Sequence, residues 1–172
     1  MVQGVVIEQG HIVDTNPATG AVIQRVRVST PSDIDAAVAA ARTAQPSWNA
    51  RPLHERTELV KAACGALATK RQQLAKLITA EMGKTLAESL EEVDDNIDMS
   101  AYCDLVAQAN APEVDGGSLI VRAPHGVVAV CAPWNYPVEE IVLLCVPALI
   151  AGNAVVVKPS EARALCGNQP VI

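Results

Sequence analysis

Asn135, Lys158 and Glu161, all near the C-terminal end, are the residues whose types and spacing suit chemistry. Asn135 stands between Trp134 and Tyr136, and Pro133 and Pro137 bracket the trio. Proline fixes its own backbone φ, so the pair stiffens the turn and holds the amide in a set direction. A held amide N–H at the end of a strand can stabilise a developing oxyanion, an effect of roughly 2.7–4 kcal/mol or about 10²–10³ in rate. The plainer reading is that Asn135 satisfies backbone groups in a tight turn, and the residues alone leave both open. Lys158 is a flexible cationic donor and Glu161 a bidentate acceptor suited to sugar hydroxyls. A carboxylate on the ribose 2′-hydroxyl is one way that α/β proteins bind NAD. The alternative is an exposed ion pair that opens a helix, with Ser160 as its cap.

The other reactive side chains form no constellation. The five cysteines, Cys64, Cys103, Cys131, Cys145 and Cys166, include no C-x-x-C pair, so neither a zinc site nor a disulfide framework is indicated. Cys64, Cys131 and Cys145 lie in apolar runs and read as inert core thiols. His11, His54 and His125 are far apart and have no metal-ligand spacing.

Positioning these groups falls to an apolar strand–helix–strand unit. Val127 to Cys131 is a short β-type run, Val138 to Ile150 reads as a helix, and Ala154 to Val157 is a wholly apolar strand. That order implies a parallel, right-handed crossover, whose carboxyl ends are where open α/β sheets place ligands. Pro147 conflicts locally with the helix, since an interior proline costs about 3 kcal/mol. The unit carries no G-x-G-x-x-G fingerprint.

Upstream, Val5 to Val13 and Ala21 to Val28 read as strands around the turn Asp14 to Gly20. Thr30-Pro31-Ser32-Asp33 opens a helix with Thr30 as N-cap and Asp33 in the capping-box position. Gln45 to Trp48 is expected to break it. A long helix is expected from Pro52 or Leu53 to Met82, stopped by Gly83, and another from Thr85 to Ala109. Asn110 to Gly117 reads as a loop and Leu119 to Val121 as a short β run. Glu88, Glu91, Glu92, Asp94, Asp95 and Asp98 read as a solvated helix face.

Composition narrows the function classes. The 172 residues are 50% hydrophobic but only 2% aromatic, without phenylalanine, which suits helices and buried parallel strands. A net charge of -6 without a basic cluster argues against nucleic acid as a partner. No signal-peptide pattern precedes Gly20, and the longest apolar run, Ile141 to Ile150, is too short to span a bilayer. A cytoplasmic protein without a membrane partner is the expectation.

Motifs in order and spacing then point to a family. Pro133-Trp134-Asn135-Tyr136-Pro137, Pro147-Ala148-Leu149, Gly152-Asn153 and Val155-Val156-Val157-Lys158-Pro159-Ser160-Glu161 resemble the cofactor-binding start of the aldehyde dehydrogenase superfamily. Asn16 to Gly20, the Asp33 to Arg42 helix, Trp48 to Arg56, Glu81-Met82-Gly83-Lys84 and Gly126-Val127-Val128 resemble its N-terminal part. The resemblance covers about Val13 to Glu161.

The resemblance implies an α/β fold: an N-terminal hairpin and long helices over 1–122, then, over 123–161, the first strand–helix–strand of a Rossmann-like parallel sheet. Residues 162–172 read as a divergent tail. The implied activity is oxidation of an aldehyde substrate to an acid by NAD, with NADP possible, through a cysteine thiohemiacetal. Asn135 matches the oxyanion asparagine. Lys158 matches the lysine on the adenosine ribose, and Glu161 the carboxylate that often binds that ribose. Ala132, Pro133 and Trp134 match positions along the dinucleotide. The family's homo-oligomer is expected of its full-length members. None of the five cysteines matches the nucleophile, and no residue here matches the general-base glutamate. The chain is therefore expected to be inactive alone, the alternative being a catalytically dead interaction partner of full-length subunits.

Overall fold

The computed structural model describes residues 5–161. The chain begins with an antiparallel sheet of β1 (Val6–Glu8), β2 (His11–Thr15) and β3 (Val22–Arg27), in the order β1-β2-β3. The expected single strand over Val5 to Val13 is a hairpin. Gln9 and Gly10 both have positive φ, which turns the chain back and pairs Glu8 with His11. Between β2 and β3, Asn16 Oδ1 accepts from the N–H groups of Ala18 and Thr19 at 2.9 and 3.2 Å, an Asx-type turn.

Helix α1 (Pro31–Asn49) starts as its sequence predicts. Thr30 Oγ1 accepts from the Asp33 N–H, and Asp33 Oδ2 accepts from the Thr30 N–H at 2.8 Å. It does not break at Gln45 to Trp48, as expected, but continues through Pro46. Tertiary bonds hold that last turn. Gln45 Nε2 donates to the Gly152 carbonyl at 2.9 Å and Trp48 Nε1 to the Leu149 carbonyl at 2.8 Å.

The long helices expected next are each interrupted. Leu53 to Met82 is α2 (Leu53–Ala66), a 3-10 turn at Leu67–Lys70, and α3 (Arg71–Met82). Lys70, at φ -112 and ψ 6, breaks the helical phase. Gly83 closes α3 in the left-handed conformation, and a Cβ there would lie 3.2 Å from Pro17 Cγ. Thr85 to Ala109 is α4 (Leu86–Ile97) and α5 (Ser100–Asn110), separated at Asp98 and Met99. The expected loop over Asn110 to Gly117 contains β4 (Glu113–Asp115), which pairs with β5 (Ser118–Ile120) in an exposed hairpin.

Strand β6 (Val127–Cys131), helix α6 (Glu139–Ile150) and β7 (Ala154–Lys158) complete the described chain. The two strands pair in parallel, Val127 with Ala154 through Cys131 with Lys158. Pro147 is accommodated inside α6. Its missing N–H leaves one helical bond unmade, and the helix ends within a turn. Residues from Val60 to Ile150 form one buried core, with Leu67, Leu74, Ile78, Val93, Cys103 and Ile150 nearly or wholly removed from solvent. The core draws on both sides of residue 122. The expected tail, 162–172, lies outside the described residues.

Candidate active site

The parallel crossover places the predicted residues at one edge. Cys131 and Lys158 are register partners at the carboxyl ends of β6 and β7. Beyond them the Ala132 N–H still donates to the Lys158 carbonyl at 3.0 Å. Both chains therefore leave the sheet together. One enters the Pro133 to Pro137 turn, the other the Pro159 to Glu161 segment.

In the turn, Ala132 is buried, Pro133 is exposed and Trp134 is 56% exposed. Asn135 is exposed, and its side-chain amide makes no hydrogen bond to a described residue. Pro137 and Val138 are buried at the foot of the turn. On the other strand, Lys158 Nζ bonds Glu161 Oε2 at 2.7 Å and the Pro159 carbonyl at 2.9 Å. Both members of this pair are open to solvent, at 57% and 37%. The bond from Lys158 holds the Glu161 carboxyl below its ordinary pKa, so it is ionised at neutral pH. The expected helix opening after Ser160 falls on residues outside those described.

The pair lines an open cleft of about 980 Å³ between β3, α1 and β7. Val127, Ala129 and Val156 form apolar wall, and Arg27, Asp33 and Arg42 polar rim.

Sequence reading missed the contacts that hold the two ends of this unit in place. Glu92, assigned to the solvated acidic face, has a wholly buried side chain. Its Oε1 accepts from the backbone N–H of Val138 at 3.1 Å and of Glu139 at 3.4 Å. Its Oε2 pairs with Lys84 Nζ at 2.6 Å. The signal lay in helical spacing, since Ser89, Glu92, Val93 and Asn96 form the buried stripe of α4. Its polar members disguised it. At the other end of α6, Arg56 Nε donates to the Ile150 carbonyl at 3.0 Å. Asn153, just before β7, ties the start of β6 to α6, with Oδ1 accepting from the Gly126 N–H at 3.0 Å and Nδ2 donating to the Ala148 carbonyl at 2.9 Å.

The cysteine assignment also changes. Cys64, Cys103 and Cys145 are buried, whereas Cys131 is exposed, on the same face of β6 as exposed Ala129 and opposite buried Val130. Burial pushes the Cys64 and Cys145 thiols up to about 11, and raises that of Cys103. Among the described residues no group of three or more His, Cys, Asp or Glu could hold a metal ion, and no helix is long and apolar enough to cross a membrane.

A parallel strand–helix–strand with polar groups at its carboxyl edge defines the class, a Rossmann-like α/β unit. The comparisons give the family. The aldehyde dehydrogenase family model matches residues 6–169, and the chain belongs to that family. N-succinylglutamate 5-semialdehyde dehydrogenase of Novosphingobium aromaticivorans is 42% identical over 159 residues, which are 89% of this chain and 33% of the relative. Among solved structures, NADP-dependent glyceraldehyde-3-phosphate dehydrogenase of Bacillus halodurans, complexed with NADP, matches with TM-score 0.83 and 30% identity. It covers 91% of this chain and 35% of its own. NAD-dependent benzaldehyde dehydrogenase of Corynebacterium glutamicum matches with TM-score 0.81 and 27% identity, over 90% and 36% of the two chains. The chain thus spans about a third of the length of the relatives it matches.

Proposed function

We propose that this chain supplies the oxyanion donor and the ribose contacts of an NAD(P)-dependent aldehyde dehydrogenase. The observation that carries the reading is the parallel β6–β7 register, which brings the Asn135 turn and the Lys158–Glu161 pair to one edge. The exposed Asn135 amide donates to the aldehyde oxygen as that oxygen becomes anionic. Lys158 and Glu161 hold the adenosine ribose. Ionised Glu161 favours NAD, since the 2′-phosphate of NADP would meet its charge. Ala132, Pro133 and Trp134 form wall along the dinucleotide. Bound NAD(P)+ supplies the hydride acceptor.

The covalent step needs an ionised thiol. Cys64, Cys103 and Cys145 are buried and held protonated, and none of the five cysteines stands where the family places its nucleophile. We therefore expect no aldehyde-dependent NADH formation from these 172 residues alone. Turnover abolished by Cys131→Ser would place the nucleophile at Cys131 and overturn this reading. The positive test is a chimera in which residues 6–161 replace the matching third of the Novosphingobium relative. It should form NADH with that enzyme's aldehyde, and an inactive but folded and assembled chimera would count against the reading.

A second reading, an association partner of full-length subunits, is favoured by the exposed apolar residues Val114, Leu119 and Val121 in and beside the β4–β5 hairpin. A two-stranded ribbon is marginal unless something covers it. Sedimentation as a clean monomer at all concentrations would argue against it.

A further inference from the structure

Helix α6 begins where the Asn135 turn ends, and its first N–H groups have no local cap. Val138 is the N-cap residue and makes no side-chain capping bond. Uncapped N–H groups at a buried helix start need an acceptor from elsewhere. Glu92 provides it from α4, with its carboxylate on the N–H groups of Val138 and Glu139. A carboxylate there also complements the positive end of the helix dipole. The same carboxylate fixes Lys84, whose ammonium lies 3.6 Å from the centroid of the Tyr136 ring. A cation over a ring face is an attractive contact. One buried anion therefore grips the backbone just after Asn135 and, through Lys84, the side chain that immediately follows it.

We propose that Glu92 is a positioning residue for Asn135, acting directly on the start of α6 and through Lys84 on Tyr136. Its catalytic meaning rests on the oxyanion reading of Asn135. The mechanical link does not, so the two fail separately. Several features support the link. The Glu92 side chain is wholly buried and Lys84 is 17% exposed, so water competes little for either group. The Asn135 side chain has no described hydrogen bond of its own to fix it. Its direction must come from the backbone of the turn, which is stiffened by the flanking prolines and anchored at Val138. Asn96 Nδ2 donates to the Glu92 backbone carbonyl at 2.7 Å, bracing that segment of α4.

The test uses the 172-residue chain, labelled with ¹⁵N. Glu92→Gln keeps an acceptor of the same shape and removes the charge. It should speed amide exchange at Val138 and Glu139 by about tenfold, because a charge-assisted bond becomes a neutral one. The side-chain amide signals of Asn135 and the indole signal of Trp134 should shift, while the amides of Leu74, Ala75 and Ile78 in the core keep their protection. A purely structural role for Glu92 would not move the Asn135 side-chain signal at constant core protection. Unchanged exchange at Val138 and an unchanged Asn135 signal would overturn the proposal. Tyr136→Leu gives an independent arm, since Tyr136 is 43% exposed and its loss leaves the core intact. It should shift the Asn135 and Trp134 signals while Val138 stays protected. An Asn135 signal indifferent to Tyr136→Leu would remove Lys84 from the device. In the chimera, a normal kcat for Asn135→Ala would sink the oxyanion reading and leave the link between Glu92 and the turn standing.

Discussion

Two lysine–glutamate pairs of nearly equal length adjoin the candidate site. Lys84 and Glu92 meet at 2.6 Å with 17% and 0% of their side chains exposed, whereas Lys158 and Glu161 meet at 2.7 Å with 57% and 37% exposed. Bond length does not distinguish them, but water does. An exposed pair contributes about 0–1 kcal/mol and opens readily, so its members can exchange each other for a ligand. A buried pair cannot open without stranding a charge. It therefore suits a brace, and Glu92 spends its second oxygen on the backbone that carries Asn135.

The largest effect expected from this contrast is that of Lys84→Met. It leaves the Glu92 charge buried without its cation and should cost about 3–5 kcal/mol, read as a lower midpoint in urea unfolding. A cost below about 1 kcal/mol would mean that water reaches Glu92, and the contrast would collapse. Gly152→Ala should come next. Gly152 has φ +95, and a Cβ there would lie 2.4 Å from Asn49 Oδ1. A loss of about 1–3 kcal/mol is expected, which would test whether the far end of α6 is held as firmly as the end that Glu92 grips.

Buried thiols sharpen the same point by pH. The folded pKa values of Cys64 and Cys145 are raised to about 11 from an ordinary 9.0. The unfolded chain loses these protons first, so stability should hold below about pH 9 and fall as pH rises toward 11. Iodoacetamide at pH 8 should modify Cys131 while sparing Cys64, Cys103 and Cys145, as peptide mass mapping would show. The smallest effect is that of Lys158→Met, which should change stability by less than about 0.5 kcal/mol. It should still raise the Glu161 carboxyl part of the way toward its ordinary value in an NMR titration, because the bond from Lys158 is the largest cause of the lowering, ahead of a backbone hydrogen bond. The small stability contributed by that bond is present above the ordinary carboxylate pKa and is lost as pH falls through the lowered one.

Much of the fold was legible in sequence because local signals carry it. Thr30 and Asp33 announce a capping box, Gly83 a helix stop, and the apolar run Ala154 to Val157 a parallel strand, although the structure leaves that strand half-buried. Boundaries set by tertiary contacts were not legible. Pro46 reads as a helix end, yet Gln45 and Trp48 are bonded to carbonyls more than a hundred residues away. Lys70 and Asp98 interrupt apolar patterns that continue at helical spacing across them. The site divided in the same way. Asn135, Lys158 and Glu161 stand in distinctive local text, whereas Glu92 is one acid among six. Only its packing against the start of α6 sets it apart.

The most direct measurement is kcat for Asn135→Ala in the chimera. An amide that meets the substrate oxygen only as it becomes anionic lowers kcat and kcat/KM together. If Asn135 is that donor, both fall by about 10²–10³ with KM nearly unchanged. An unchanged kcat in a folded, assembled chimera would contradict it.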